Sequence, residues 1–218
     1  FDWLLIDGEH SPNDVRSIRD QMVALKSSRS HPIVRVPIGE TWVIKQALDV
    51  GAQTILVPIV ETAEQARALV LACRFPPQGT RGVGYSVSRA GGFGQFENYG
   101  PTADAQICLL VQVETAKGLE NLDDILAVEG VDGVFIGPAD LSASLGYLGQ
   151  TGHTDMRRTI LAALKKISDS GKAAGILTTD DSMIEASLEA GARFVAVAMD
   201  IALLLNNAKA AAKKWKST

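Results

Sequence analysis

Asp7, Glu9 and His10 crowd into four positions at the end of the apolar run DWLLID. Two carboxylates beside an imidazole at the tip of a buried strand are costly unless a cation relieves them. The same grouping is what proton transfer next to an anionic ligand requires. Asp7, three residues before His10, is a candidate orienting carboxylate that would fix the imidazole tautomer and raise its basicity. Arg35 lies between Val34 and Val36 in a second apolar run and cannot shed its charge, so it needs an anion. That anion is either a core carboxylate such as Asp7 or a substrate carboxylate or developing oxyanion. In ICLLVQVE the strand period puts Leu110, Gln112 and Glu114 on one face and Leu109, Val111 and Val113 on the other. Asp140 follows GVFIGPA one unit later, so Glu114 and Asp140 belong to adjoining strands, about 4.8 Å apart. An all-oxygen pair of this kind suits a hard dication such as Mg²⁺ or Mn²⁺. The competing reading is that each caps a helix, near Thr115 and near Leu141. Gly137, Pro138 and Ala139 let backbone come close to a ligand at a helix start, or are plain turn chemistry. RGVG at 81–84 has a similar anion-binding look. Lys117 is the one lysine near these residues that a Schiff-base mechanism could use, and it is expected to begin a helix instead; His31 and His153 read as loop residues.

These side chains need elements to carry them. Seven short apolar runs, DWLLID, PIVRVP, TILVPIV, ICLLVQVE, GVFIGP, AAGILT and FVAVAM, alternate with stretches of helical period, which predicts βαβ units and a parallel sheet. The period predicts a helix after an Asn13 N-cap, one after Thr62, and one that puts Ile160, Leu164 and Ile167 on one face before Gly171. A last helix is predicted over 201–216, apolar at IALLL and basic at its end, where Lys213, Lys214 and Lys216 suit the helix dipole. Seven units in 218 residues is about 31 each. One more would reach the roughly 250 residues of a (β/α)₈ TIM barrel. The expectation is therefore a single barrel domain over 1–218 whose first strand lies before Phe1. An open doubly wound sheet would carry a glycine-rich turn after its first strand, and DGEH has one glycine. Residues 75–106 form a long aperiodic connection rich in glycine and aromatics, the kind of loop that is usually functional or mobile.

Bulk composition excludes several classes of function. A net charge of -4 with no basic run beyond the tail lysines argues against a general affinity for nucleic acid. No apolar stretch approaches the roughly 20 residues that cross a bilayer, and no signal peptide is visible. Cys73 and Cys108 sit inside apolar segments without metal-type spacing, as small hydrophobes of a reducing cytoplasm do.

Taken together, LLIDGEH, VRVP, VPIVETAEQA, RFPPQGTRGVG, VQVET and GVDGVFIGPADLSASLGY strongly resemble the HpcH/HpaI aldolase family, from Phe1 to about Leu204. The resemblance implies a (β/α)₈ barrel and a class II aldolase that reversibly cleaves 4-hydroxy-2-oxo acids to pyruvate and an aldehyde with a divalent metal (Mg²⁺, Mn²⁺ or Co²⁺). It implies that His10 is the general base, oriented by Asp7, and that Arg35 stabilises the enolate. It assigns the metal to Glu114 and Asp140, and the keto acid to Gln112 and the backbone at Ala139 in the 137–140 turn. It further implies a homohexamer of dimers in which the last helix, 201–218, is exchanged between partners. Asp49 in LDVGA matches a family acid that supports the catalytic histidine. Asp49 precedes a strand, at the opposite end of its own barrel from His10, so it can reach such a histidine only across a subunit boundary. The rival readings are an acyl-CoA lyase on a related barrel, which needs a basic nucleotide site not found here, and a barrel that only binds a keto acid. Succinic semialdehyde, lactaldehyde and tartronate semialdehyde are candidate aldehyde halves, and residues 75–106 are expected to help choose among them.

Overall fold

All seven apolar runs are strands in the structure, a computed structural model that describes residues 1–216. β1 (Trp3–Asp7), β2 (His31–Arg35), β3 (Thr54–Val57), β4 (Cys108–Val113), β5 (Gly133–Ile136), β6 (Ala173–Leu177) and β7 (Phe194–Ala196) pair in parallel, each beside its chain neighbours. The helices are α1 (Val15–Leu25), α2 (Thr41–Asp49), α3 (Ala63–Cys73), α4 (Tyr99–Thr102), α5 (Ala116–Glu120), α6 (Leu122–Leu126), α7 (Pro138–Ser144), α8 (Thr154–Asp169), α9 (Asp181–Glu189) and α10 (Asp200–Trp215).

The sheet is curled, because its two faces bury different things. Val34, Ile55, Val111, Val134 and Ile176 point outward under the helices. Ile33, Leu56, Leu110, Phe135 and Phe194 point inward and form a second core. Gly175 makes the curl possible, since a Cβ there would lie 2.6 Å from Phe194 and 2.9 Å from Phe135. Those two rings meet edge to face at 5.5 Å. Trp3 of the first strand reaches Phe194 of the last at 4.3 Å between ring centroids. Side chains thus approach across a gap where, among the described residues, no backbone pairing joins β1 to β7. The fold is a seven-stranded, barrel-like parallel sheet.

Helix ends show where local chemistry decided. Thr62 caps α3 as expected, in a box with Gln65. The cap of α1 is Asp14 and not Asn13: the Asp14 carboxylate accepts from the N–H groups of Arg16 and Ser17, while Asn13 Nδ2 donates to the Asp7 carbonyl. His153, read as a loop residue, caps α8, whose Ile160, Leu164 and Ile167 are buried. Cys73 is buried, and burial pushes its thiol up to about 12; Cys108, half-buried at the start of β4, is pushed to about 11. The last helix, α10, buries none of its side chains and exposes Ile201, Leu204 and Trp215. Residues 217–218 of the segment expected to be exchanged lie outside the described residues. Among the described residues, no helix is long and apolar enough to cross a membrane.

Candidate active site

Asp7 and Arg35 end β1 and β2 in register with one another. Gln112, on β4, lies opposite Phe135, which places Glu114 beside Gly137 one step later. The inward face that holds Leu110 therefore ends in Gln112 and Glu114, and the polar residues predicted from period two do gather at the C-terminal rim of one sheet.

Arg35 organises one half of this rim. Its Nε and Nη2 donate to the two oxygens of Asp7 at 2.8 and 2.7 Å, a bidentate pair, and its Nη1 stands 3.0 Å from Glu9 Oε2. Burial alone would lift the Asp7 carboxyl, but the Arg35 hydrogen bonds and the Glu9 backbone N–H hold it below the usual range. Asp7 Oδ1 also accepts from the backbone of His10, at 3.4 Å. The expected orientation of the His10 imidazole by Asp7 is thus not what the chain builds: both oxygens of Asp7 are committed to the guanidinium. Glu9 stands there instead, with Oε2 3.7 Å from His10 Nε2. Sequence reading put Glu9 in the cluster yet assigned it no task. Its buried position between an arginine and a histidine needed the three-dimensional turn. Burial raises the Glu9 carboxyl; Arg35 opposes that rise, and Glu114 adds to it. The His10 side chain itself is 63% exposed.

Glu114 anchors the other half, with only 3% of its surface exposed. It does not cap a helix, because Thr115 takes that role for α5 through Gly118. One oxygen, Oε1, accepts from the Ile59 N–H at 2.8 Å, and the other, Oε2, accepts from Gln112 Nε2. Burial and the neighbouring Asp140 lift the Glu114 carboxyl above the usual glutamate range against those two hydrogen bonds. Asp140 lies in the first turn of α7, whose N-cap is Gly137 and whose first residue is Pro138; Ala139 and Asp140 are exposed there. The Gly137 contact is close: an added Cβ would fall 2.5 Å from Glu114 Oε2. Gly137→Ala should therefore displace the Glu114 carboxylate. We expect Mn²⁺ affinity, measured by titration calorimetry, to fall about 10- to 100-fold, as when a ligand loses its support, and the melting temperature to fall as well, since the added Cβ would also lie 2.9 Å from Glu114 Cβ.

One buried oxygen at the rim, Gln112 Oε1, lacks a partner, while Glu9 Oε2 has the Arg35 guanidinium 3.0 Å away. Buried acceptors are normally satisfied, and the carboxylate beside Gln112, Glu114, can only accept. An all-oxygen set of this kind suits a hard dication, which Glu114 and Asp140 could hold with waters or a ligand in the remaining positions. Among the described residues no group of three or more His, Cys, Asp or Glu forms a metal cluster by itself.

Other expected participants lie elsewhere. Lys117 pairs with Glu61 at 3.1 Å on the helical side, and no lysine points inward from the seven strands. Asp49 ends α2, at the N-terminal end of the sheet, as its place before β3 required. There it faces Arg81 at 3.6 Å, and Arg81 is fully buried, stacked 4.4 Å over Phe75 and 3.3 Å from Tyr99 Oη. RGVG and the whole connection 75–106 consequently belong to the end opposite the rim. That connection links α3 to β4, and helix-to-strand loops emerge where strands begin. Within one chain it does not border the site it was expected to tune.

The chain is 80% identical over 216 residues to the hydroxypyruvate/pyruvate aldolase of Roseobacter denitrificans, spanning 99% of this chain and 84% of that protein. It is 53% identical over 203 residues to the 2-keto-3-deoxy-L-rhamnonate aldolase of Klebsiella pneumoniae, 93% of this chain and 76% of that one. A crystal structure of an HpcH/HpaI aldolase/citrate lyase family protein from Burkholderia cenocepacia superimposes with a TM-score of 0.94 at 41% identity, covering 100% of this chain and 86% of that chain. Residues 1–207 match the family's own pattern from the first strand into the last helix. With the family pattern matched over residues 1–207, and the paired arginine, the buried Glu114 and the GPAD turn all at strand ends, the chain belongs to the HpcH/HpaI aldolase/citrate lyase family.

Proposed function

We propose that this protein is a divalent-metal-dependent aldolase that reversibly cleaves 4-hydroxy-2-oxo acids to pyruvate and an aldehyde. The observation that carries the reading is the buried Glu114 carboxylate next to the unpartnered Gln112 Oε1 and one strand from Asp140. A dication held by Glu114 and Asp140 supplies Lewis-acid polarisation of the 2-oxo group.

The chain's own groups do the rest. Gln112 and the free N–H of Ala139 in the first turn of α7 receive the oxygens of the keto acid. Arg35 donates from Nε and Nη2 to Asp7, and its Nη1 side, 3.0 Å from Glu9 Oε2, keeps the guanidinium charge at the rim. That side stabilises the negative charge collecting on the enolate oxygen as the C3–C4 bond breaks. His10, exposed at the rim with Glu9 at its Nε2, takes the proton from the C4 hydroxyl; in condensation it returns that proton to the new alkoxide. Asp7 acts on this step through Arg35 and through the His10 backbone.

The same reading extends to assembly. The bare apolar face of α10 fits a helix that packs on a second copy, in a hexamer built as a trimer of dimers, and it places Asp49 where another subunit's site can use it. A further strand between β7 and β1 would complete an eight-stranded barrel. Two free cysteines suit a cytoplasmic enzyme.

The test is cleavage of a small panel of 4-hydroxy-2-oxo acids, with pyruvate as the read product. EDTA should abolish turnover and Mg²⁺, Mn²⁺ or Co²⁺ restore it; full activity in EDTA overturns the reading. His10→Ala should lower kcat by roughly 10²–10⁴-fold.

A further inference from the structure

Ile59 has a backbone that a β-branched residue rarely adopts. Its φ is +55°, in the left-handed region, where among the described residues only two other non-glycine residues lie, Phe93 and Asn98. For a β-branched residue this is a backbone outlier. The cause is local. β3 ends at Val57, Pro58 is buried, and the chain must turn so that the Ile59 N–H meets Glu114 Oε1 at 2.8 Å and the Val60 N–H meets the Gln112 carbonyl at 3.0 Å. Glycine or asparagine would make that turn without strain. The side chain is not in the core either, since Ile59 is 55% exposed.

The position of that side chain follows from the hydrogen bond. A Cβ lies about 2.5 Å from its own amide nitrogen, so the first carbon of the Ile59 side chain is within roughly 5 Å of Glu114 Oε1. Ile38, in the connection that follows β2, is a second exposed aliphatic residue. The deep end of the site is polar, at Glu114, Gln112 and Arg35; the Ile59 edge is aliphatic. Arg35, the cation of the rim, is already engaged by Asp7 and Glu9.

We propose that Ile59 is a specificity-determining residue, the apolar wall that meets the aldehyde half and selects neutral, short aliphatic aldehydes over aldehydes that carry a carboxylate. This rests on the aldolase reading above. A keto acid held by its polar end at Glu114 and Gln112 projects its C4 substituent outward, to the level of the exposed Ile59. An anionic substituent there would meet hydrocarbon in a rim rich in carboxylates, with no unpaired cation to receive it.

The test uses Ile59→Asn and Ile59→Gly, which both suit a left-handed backbone and keep the N–H that holds Glu114, with Ile59→Val as the conservative variant. Exchange of pyruvate C3 protons with deuterated solvent, followed by NMR, reads the pyruvate half alone. Condensation of pyruvate with lactaldehyde, propanal and succinic semialdehyde reads the aldehyde half. Ile59→Asn and Ile59→Gly should lower kcat/KM for lactaldehyde and propanal roughly 5- to 20-fold, mainly in KM, the worth of one or two buried methylene groups. The penalty with succinic semialdehyde should be smaller, proton exchange should stay within about twofold, and Ile59→Val should restore the wild-type aldehyde order. Exchange falling in parallel with condensation would overturn the proposal and make Ile59 a support for Glu114 only. An unchanged aldehyde order would overturn it too. A wild-type protein that neither exchanges pyruvate protons nor condenses any aldehyde in the presence of Mn²⁺ would overturn the aldolase reading, and this inference with it.

Discussion

Glu114→Gln should remove divalent-metal binding and lower aldol cleavage by at least about 10²–10³-fold, comparable to or beyond the loss of a principal charge-stabilising group in other enzymes, while the fold survives. The side chain is isosteric and fully enclosed, so packing against Gly137 is unchanged in volume. What changes is charge and hydrogen-bond capacity. The wild-type carboxylate accepts from two donors at once, the Ile59 N–H and Gln112 Nε2. An amide has one acceptor oxygen, so it can serve the Ile59 N–H only while its N–H₂ faces Gln112, whose amide must then turn its own oxygen inward. Asp140 would then be the sole negative ligand offered to a dication. Calorimetric titration with Mn²⁺ and cleavage assays at saturating metal check both halves of the expectation, and circular dichroism checks the fold. Retention of more than a tenth of wild-type turnover would show that Glu114 does not hold the ion.

Arg35→Leu should be the most damaging substitution for stability as well as activity. It strands Asp7 and Glu9, both largely enclosed, without their cation. Removing one partner of a buried ion pair costs roughly 3–5 kcal/mol, and the partial exposure of this pair sets the expectation at the lower end. The pH dependence has a definite sign. In the wild type Asp7 titrates below its ordinary value, so its contribution to stability is present above the usual aspartate range and is lost only as pH falls through the lowered pKa. In Arg35→Leu that contribution is gone. The stranded carboxylates gain from protonation, so the deficit relative to wild type should be largest near neutral pH and shrink toward pH 4. Urea unfolding at several pH values measures it; a deficit independent of pH would mean that lost packing, not stranded charge, is responsible. Arg35→Lys separates the roles further, since it keeps the charge but cannot form the bidentate pair on Asp7. Cleavage should fall with Arg35→Lys while much of the stability returns.

Several features of this chain are legible residue by residue, because they depend on short-range periodicity. Leu110, Gln112 and Glu114 share a face since strand side chains alternate, whatever the rest of the fold does. The Thr62 cap and the Ile160, Leu164, Ile167 stripe follow from helix geometry over one or a few turns. Neighbouring places for Glu114 and Asp140 follow from consecutive parallel strands joined by helical crossovers. The motifs of the family were equally plain, and the comparisons bear out the membership that they implied.

Other features depend on contacts between distant segments. Whether Asp7 would serve His10 or Arg35 turned on β1 lying in register with β2, which brings the guanidinium to both Asp7 oxygens. Competition between Asn13 and Asp14 for the α1 cap was settled by the Asp7 carbonyl, which takes the Asn13 side chain. The left-handed backbone at Ile59 runs against every local preference of isoleucine and is imposed by the Glu114 carboxylate, 55 positions later.

The amino-acid sequence alone determined the alternation of strands and helices, the polar ends of the strands and the family, since each is written in spacings of two to four residues or in contiguous motifs. Only the tertiary structure decided which carboxylate pairs with the arginine, which end of the sheet the 75–106 connection occupies, and why an isoleucine is strained at the rim. Those outcomes come from charges and hydrogen-bond donors that meet only after the sheet has curled, and the energy of burying them unpaired exceeds any local propensity.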